Sequence, residues 1–282
     1  GQLGDGTTTD CNSPTLIGSC TWNAIACGGY HSLGIRADDR LLSWGRNNYG
    51  QLGDGTTTDC NSPTLIGSCT WNAIACGGYH SLGIRADDRL LSWGRNNYGQ
   101  LGDGTCTDRN SPTLIGSCTW KAVAAGYYHS LGIRADDRLL SWGRNNYGQL
   151  GDGTCTDRNS PTLIGSCTWK AVAAGYYHSL GIRADDRLLS WGRNNYGQLG
   201  DGTCTDRNSP TLIGSCTWKA VAAGYYHSLG IRADDRLLSW GYNIYGQLGD
   251  GTTTDCNSPT LIGSCTWEAI AGGWYHSLGL KG

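Results

Sequence analysis

The chain of 282 residues carries 21 basic and 23 acidic side chains, dispersed through its length rather than gathered into runs. This near-neutral charge argues against a surface that follows a nucleic-acid backbone, which needs a concentrated basic face. No apolar run approaches the roughly 20 residues that a membrane span requires, and the 45 glycines predict a folded, turn-rich protein.

A repeat of 49 residues organises the chain without insertion or deletion. Each copy opens with Gly-Gln-Leu-Gly-Asp-Gly-Thr, and the copies start at Gly1, Gly50, Gly99, Gly148, Gly197 and Gly246. Units of this size bury their apolar faces by stacking on neighbours, so we predict a single domain over residues 1–282. The last copy is incomplete, and the absence of an initial methionine suggests a processed product.

The third copy shows the strands that each repeat predicts. Residues 120–126 are small and end at glycine, which favours an inner strand in a crowded place. Residues 129–134 alternate apolar and polar side chains, and after a turn at Asp136 and Asp137 residues 138–143 predict a third strand. A short fourth strand, residues 161–165, begins at a proline and therefore belongs at a sheet edge. Four antiparallel strands per repeat are typical of a β-propeller blade.

Three motifs recur in fixed order: Ala-Ala-Gly-x-x-His-Ser-Leu, Leu-x-Ser-Trp-Gly-x-Asn-x-Tyr-Gly-Gln-Leu-Gly-Asp-Gly, and Pro-Thr-Leu-Ile. Their order and spacing resemble the repeat of the regulator of chromosome condensation family over essentially the whole chain. The resemblance implies an all-β propeller of four-stranded antiparallel blades, usually seven in that family, whose members include a nucleotide exchange factor and a secreted β-lactamase inhibitor. Six repeats allow six blades, closed by about twelve residues preceding Gly1, or part of a seven-bladed ring.

Two cysteines per copy predict one disulfide each, because the earlier cysteine takes one of two positions but never both. We expect each bridge to clamp the fourth strand to the loop before it; metal ligands would more often come as four clustered residues. The predicted pairs are Cys11 with Cys20, Cys60 with Cys69, Cys106 with Cys118, Cys155 with Cys167, Cys204 with Cys216 and Cys256 with Cys265. Disulfides imply a secreted or cell-surface protein. Cys27 and Cys76 are left over, and we expect them to be buried and inert.

Other candidate sites have simpler structural explanations. A ring of histidines could bind a metal or an anion, but each starts a strand beside leucine and isoleucine, so we predict a bond to a neighbouring backbone group and no metal. These are His31, His80, His129, His178, His227 and His276. The Asp38-Asp39 turns, flanked by arginines, predict solvated hairpins. No nucleophile, base and orienting group recur together, so we predict neither an enzyme nor a cofactor.

A variable position supplies the best candidate for a binding site. Gly29 and Gly78 become tyrosine in three later copies and tryptophan in the last, always just before a Tyr-His pair. In a closed ring these aromatics would form an arc on one face near the channel mouth, which suits protein or sugar partners. The predicted residues are Tyr127, Tyr128, Tyr176, Tyr177, Tyr225, Tyr226, Trp274 and Tyr275. Alternatively, these side chains pack against one another between blades.

These features predict an extracellular interaction module that binds a protein or a glycan, without nucleic acid or membrane insertion. A secreted enzyme inhibitor would also fit the predicted disulfides. A nucleotide exchange factor fits them less well, because it would work in the cytosol or nucleus. A purely structural repeat array is the third possibility, favoured if the aromatic side chains are buried.

Overall fold

A computed structural model describes residues 1–282, which form eighteen strands and no helix. Accordingly, no helix is long and apolar enough to cross a membrane. In chain order the strands are β1 (Trp22–Cys27), β2 (His31–Arg36), β3 (Arg40–Gly45), β4 (Cys60–Cys76), β5 (His80–Arg85), β6 (Arg89–Gly94), β7 (Arg109–Ala125), β8 (His129–Arg134), β9 (Arg138–Gly143), β10 (Arg158–Ala174), β11 (His178–Arg183), β12 (Arg187–Gly192), β13 (Arg207–Ala223), β14 (His227–Arg232), β15 (Leu237–Gly241), β16 (Cys256–Leu261), β17 (Trp267–Gly272) and β18 (Ser277–Lys281).

The middle strands of each blade lie where the sequence predicts them. In the third copy, β8 and β9 pair antiparallel with His129 opposite Gly143, and Asp137 closes the turn with a φ of 64°. Aspartate tolerates this left-handed conformation better than most residues. The alternation of apolar and polar residues over 129–134 is typical of a strand with one buried face, but both faces of β8 are buried, because neighbouring blades pack on each side of it.

The predicted fourth strand and the following inner strand are one continuous element. The 17 residues of β10 pair with β9 through their first part and with β11 through their second. The strand therefore forms the outer edge of one blade and the inner strand of the next. Strands β4, β7 and β13 do the same, which gives five four-stranded blades, and β17 with β18 forms a two-stranded sixth. Strand pairing does not close the ring.

The hydrophobic core lies between adjacent blades. Leu131, Ile133 and Leu139 of one blade pack against Trp169 and Trp191 of the next. The two indole rings meet edge to face, with centroids 5.7 Å apart. Equivalent clusters recur between the other complete blades. Each blade is thus stabilised by its neighbours, as the repeat pattern predicts.

The glycine-rich loop after each third strand folds around a buried asparagine. In the loop that joins the fourth and fifth copies, the Asn194 side chain donates to Asp201 Oδ1, Thr203 O and Thr205 O, each at 3.1 Å. Its own Oδ1 accepts a hydrogen bond from the Leu199 backbone at 2.9 Å. These bonds satisfy loop polar groups that would otherwise be buried without partners. They fix the loop on the same side of the ring as the turns between inner and second strands.

None of the predicted disulfides is present, and all fourteen cysteines are free. Strand register explains the absence. Cys60 lies opposite Gly45, whereas Thr70, the neighbour of Cys69, lies opposite Arg40 at the other end of β3. Five strand residues span about 17 Å, but bonded cysteines have Cα atoms within about 7 Å. The predicted disulfides that the structure lacks are Cys11 with Cys20, Cys60 with Cys69, Cys106 with Cys118, Cys155 with Cys167, Cys204 with Cys216 and Cys256 with Cys265.

In three copies an arginine with an ionic partner stands where the other copies have the earlier cysteine. Where the earlier cysteine moves, as at Cys106, arginine takes its former place, and Arg109 forms an ion pair with Asp103 at 2.7 Å. Burial raises the pKa of Asp103, but hydrogen bonds from Thr105 and Arg109 outweigh burial and lower it overall. The expected burial of Cys27 is also wrong, since its side chain is exposed.

Candidate functional site

The turns between the inner and second strands of neighbouring blades are hydrogen bonded to one another. Each bond joins the backbone N–H of one turn to a backbone carbonyl of the next, at 3.1 to 3.3 Å. The bonds run from Gly29 to Gly77, Gly78 to Tyr127, Tyr127 to Gly175, Tyr176 to Tyr225 and Tyr225 to Gly273. This backbone arc sets the variable residues of all six copies side by side, which confirms their expected proximity.

The variable aromatics converge into a central aromatic cluster, defined as Tyr127, Tyr176, Tyr225 and Trp274. Successive ring centroids lie 4.3, 4.0 and 5.4 Å apart, and Trp274 returns to within 6.1 Å of Tyr127. The four rings line a cavity of about 470 Å³ whose remaining wall is mostly glycine and alanine. They therefore pack against one another as well as facing the channel mouth.

Glycine in the first two copies makes room for this cluster. A Cβ atom at Gly78 would lie 2.7 Å from Cδ2 of Tyr127, and one at Gly29 would lie 3.1 Å from Cζ2 of Trp274. Trp274 also meets Tyr30 edge to face at 5.4 Å. The aromatic side chain of the last copy thus reaches the first blade, although strand pairing does not join them.

The second predicted group forms a ring around the central aromatic cluster. Tyr128, Tyr177, Tyr226 and Tyr275 each contact a member of the cluster, with centroid separations between 4.2 and 5.5 Å. Burial raises the pKa of both Tyr225 and Tyr226 to about 12. All eight predicted residues belong to one continuous network of ring contacts, within which Tyr177 is buried.

Sequence reasoning missed the outer part of this surface. Tyrosines from the Arg-Asn-Asn-Tyr loops, such as Tyr98 and Tyr147, extend it outward, and the arginines of those loops stack on them. All fifteen tyrosines of the chain belong to one network of ring contacts, which we call the tyrosine face. The available signal was the tyrosine that recurs at this loop position in each of the first five copies.

The opposite face of the ring carries the Asp-Asp turns. Arg134 forms an ion pair with Asp136, and its hydrogen bond lowers the pKa of that carboxyl to about 2. Lys121 Nζ lies 2.6 Å from Asp137 Oδ1. Both pairs are exposed, as the prediction of solvated hairpins requires, and such pairs contribute little to stability.

Five of the six histidines lie between blades and bond to serine hydroxyls rather than to backbone groups, whereas His276 is exposed. The five bonds from Nε2 are 2.8 to 3.0 Å long, and each serine belongs to the next copy. The pairs are His31 with Ser81, His80 with Ser130, His129 with Ser179, His178 with Ser228 and His227 with Ser277. No group of three or more potential ligand residues is placed to hold a metal ion.

A family model described as the regulator of chromosome condensation (RCC1) repeat matches the chain six times. The matches cover residues 1–35, 38–84, 87–133, 136–182, 185–231 and 234–280. The chain belongs to the RCC1 repeat family. This RCC1-repeat propeller has no match in a sequence search of curated proteins.

Solved structures share the propeller fold. Human WBSCR16 is 24% identical with a TM-score of 0.84, covering 91% of this chain and 71% of its own. Prp20p from Saccharomyces cerevisiae, described with its binding to Gsp1p and histones, is 24% identical with a TM-score of 0.81, covering 92% and 69%. The CRINKLY ectodomain of the Arabidopsis thaliana receptor kinase ACR4 is 17% identical with a TM-score of 0.61, covering 94% and 76%.

Proposed function

We propose that this RCC1-repeat propeller is a protein-binding module that presents its tyrosine face to a partner, without catalysing a reaction. The observation that supports the proposal is the segregation of all fifteen tyrosines into one network, while the opposite face carries exposed ion pairs. Tyrosine and arginine are enriched where interfaces contribute most binding energy, because their large surfaces tolerate both apolar and polar contacts. Protein binding by Prp20p, a relative of the same fold, is consistent with this role.

The other predictions on function have weaker support. A glycan partner rests on aromatic composition alone, and the inhibitor and exchange-factor hypotheses rest on the family resemblance. Location outside the cell stays a prediction whose original basis, disulfides within each repeat, is absent from the structure. An ectodomain with this fold, that of ACR4, favours it only by analogy.

Site-specific photocrosslinking tests the proposed face. A photoreactive amino acid replaces Asn195, which is exposed in an Arg-Asn-Asn-Tyr loop, or Asp185, which is exposed on the opposite face. In extracts and culture medium of the source organism we expect discrete protein adducts from position 195 only. Excess wild-type protein should compete, whereas a Tyr147→Ser, Tyr196→Ser variant should compete poorly. Equal adducts from position 185, or full competition by that variant, would exclude the tyrosine face.

A further inference from the structure

A polar groove lies between adjacent blades, where the glycine-rich loop of one blade meets the start of the outer strand of the next. Between the fourth and fifth copies it has a volume of about 340 Å³, and its walls include Cys155 from the loop and Arg207 from β13. Two hydrogen bonds fix its width. The Gly153 N–H donates to the Asn208 carbonyl at 2.9 Å, and Asn208 Nδ2 donates to the Gly153 carbonyl at 3.0 Å.

The same two bonds recur between the fifth and sixth copies. The Gly202 N–H donates to the Asn257 carbonyl at 2.9 Å, and Asn257 Nδ2 donates to the Gly202 carbonyl at 2.9 Å. Cys204 follows Gly202 by two residues, and Cys256 immediately precedes Asn257. The groove between these copies therefore carries a cysteine on both walls, where the preceding groove carries a cysteine and an arginine.

This combination of residues occurs once in the chain. The four earlier grooves place at most one thiol at the two equivalent positions, because the cysteine of one wall faces a threonine or an arginine. Their pairs are Thr8 with Cys60, Thr57 with Arg109, Cys106 with Arg158 and Cys155 with Arg207. Only the pair Cys204 and Cys256 can thus form a bond across a groove.

The side chain of Cys256 points into the groove. Its Sγ atom lies 3.2 Å from the Ser258 carbonyl oxygen and 2.9 Å from Thr260 Oγ1. The equivalent Ser209 and Thr211 both line the groove of the preceding copies. The thiol is consequently held on the wall that faces the loop of the neighbouring blade.

The other thiol is open to solvent. Cys204 is exposed, whereas Cys256 is half-buried. The equivalent Cys155 is exposed as well, although two complete blades follow its loop, so the access to Cys204 does not arise from the incomplete sixth copy. A reagent from solution therefore meets Cys204 first and finds a second thiol in the same groove.

We propose that Cys204 and Cys256 are a dithiol site that a small disulfide, such as glutathione disulfide, oxidises to a bond between copies. The Cys204 thiolate attacks one sulfur of the reagent, which releases one glutathione and leaves a mixed disulfide. The Cys256 thiolate then attacks Sγ of Cys204 and displaces the second glutathione. The two cysteines lose two protons and two electrons, which the reagent takes up on becoming two glutathione molecules.

The bond would connect a loop of the fourth blade to the outer strand β16 of the fifth. A disulfide that closes a long loop restricts the unfolded chain and so stabilises the folded one. This site is independent of the proposed partner face.

Peptide mapping after oxidation tests the site. The native protein is reduced, freed of reductant and incubated with glutathione disulfide; remaining thiols are alkylated, and tryptic peptides are identified by mass spectrometry. We expect Cys204 linked to Cys256, whereas Cys155, which faces Arg207, should stop at the mixed disulfide. Cys256→Arg reproduces that preceding groove. In this variant the mixed disulfide at Cys204 should accumulate at least about tenfold more than in the wild type, because the intramolecular attack is lost.

Arg207→Cys provides the matched gain of function. Three copies carry cysteine at this position, so the variant is compatible with the fold, and it should link Cys155 to position 207. Absence of that link would overturn the proposal, because the groove would then not decide the pairing. Two wild-type results would overturn it as well: Cys204 remaining a mixed disulfide, or Cys204 linking to Cys216 as readily as to Cys256.

Discussion

His129 of one blade and Ser179 of the next form a buried hydrogen bond, with Nε2 and Oγ 2.9 Å apart. Ser179 Oγ donates its proton to the carbonyl of Gln149 at 2.8 Å, so it accepts from His129. The Nδ1 atom of His129 is buried without a partner, which a neutral ring tolerates better than an imidazolium. Burial accordingly lowers the pKa of His129 to about 3.

The buried histidines predict that the protein loses stability in acid. An unfolded histidine has a pKa near 6.5, whereas the pKa values of His80, His129 and His178 are lowered by burial to about 3. Between these values the unfolded chain binds more protons, so the free energy of unfolding should fall as pH drops below about 6.5. Thermal unfolding between pH 8 and pH 4 measures this. The stability deficit of His129→Gln should shrink towards low pH. A deficit of constant size would contradict the assignment.

The asparagine of the glycine-rich loop should be essential for stability. Asn194→Ala leaves several buried loop groups without partners, which should cost about 2 to 4 kcal/mol of unfolding free energy. Asn195→Ala, at the adjacent exposed position, should change it by less than about 0.5 kcal/mol. Urea unfolding of both variants makes the comparison. Equal effects at the two positions would show that the buried hydrogen bonds do not hold the loop.

The cysteines should react with alkylating reagents as free thiols. Alkylation of unfolded protein without reductant should modify all fourteen, and the exposed ones should react in the native protein. The exposed cysteines are Cys11, Cys20, Cys27, Cys69, Cys106, Cys118, Cys155, Cys167, Cys204 and Cys265. Intact mass after alkylation, measured with and without prior reduction, distinguishes free thiols from disulfides. Six bridges within single copies would contradict the register of the outer strands.

The central aromatic cluster should not tolerate a side chain at Gly78. Gly78→Ala places a Cβ 2.7 Å from Cδ2 of Tyr127 and 2.8 Å from its carbonyl oxygen, so we expect a loss of about 1 to 3 kcal/mol. Gly29→Ala, whose nearest contact would be 3.0 Å, should cost less. Thermal unfolding of the two variants shows which of them is less stable. A larger effect at Gly29 would argue against the packing of Tyr127 over Gly78.

Local sequence was enough for the features that depend on residues close together in the chain. The alternation of residues 129–134, the turn at Asp136 and Asp137, and the strand at residues 138–143 all follow from nearest-neighbour chemistry, and the structure has strands at those positions. The 49-residue period and the family motifs then predicted stacked blades. The eight aromatic candidates were also found from sequence: four stand at the position that varies among near-identical copies, and the other four are the tyrosines that follow it in every copy.

The tertiary structure alone decided which distant residues meet. Cys60 and Cys69 are close in sequence, but Cys60 lies opposite one end of β3 and Thr70, the neighbour of Cys69, lies opposite the other end. Arg95 meets Tyr49 and Tyr128, which belong to different copies, because the loops of adjacent blades share one face. Near-identical repeats carry the same local information everywhere. Which tyrosine rings each loop arginine meets is therefore decided by packing between blades.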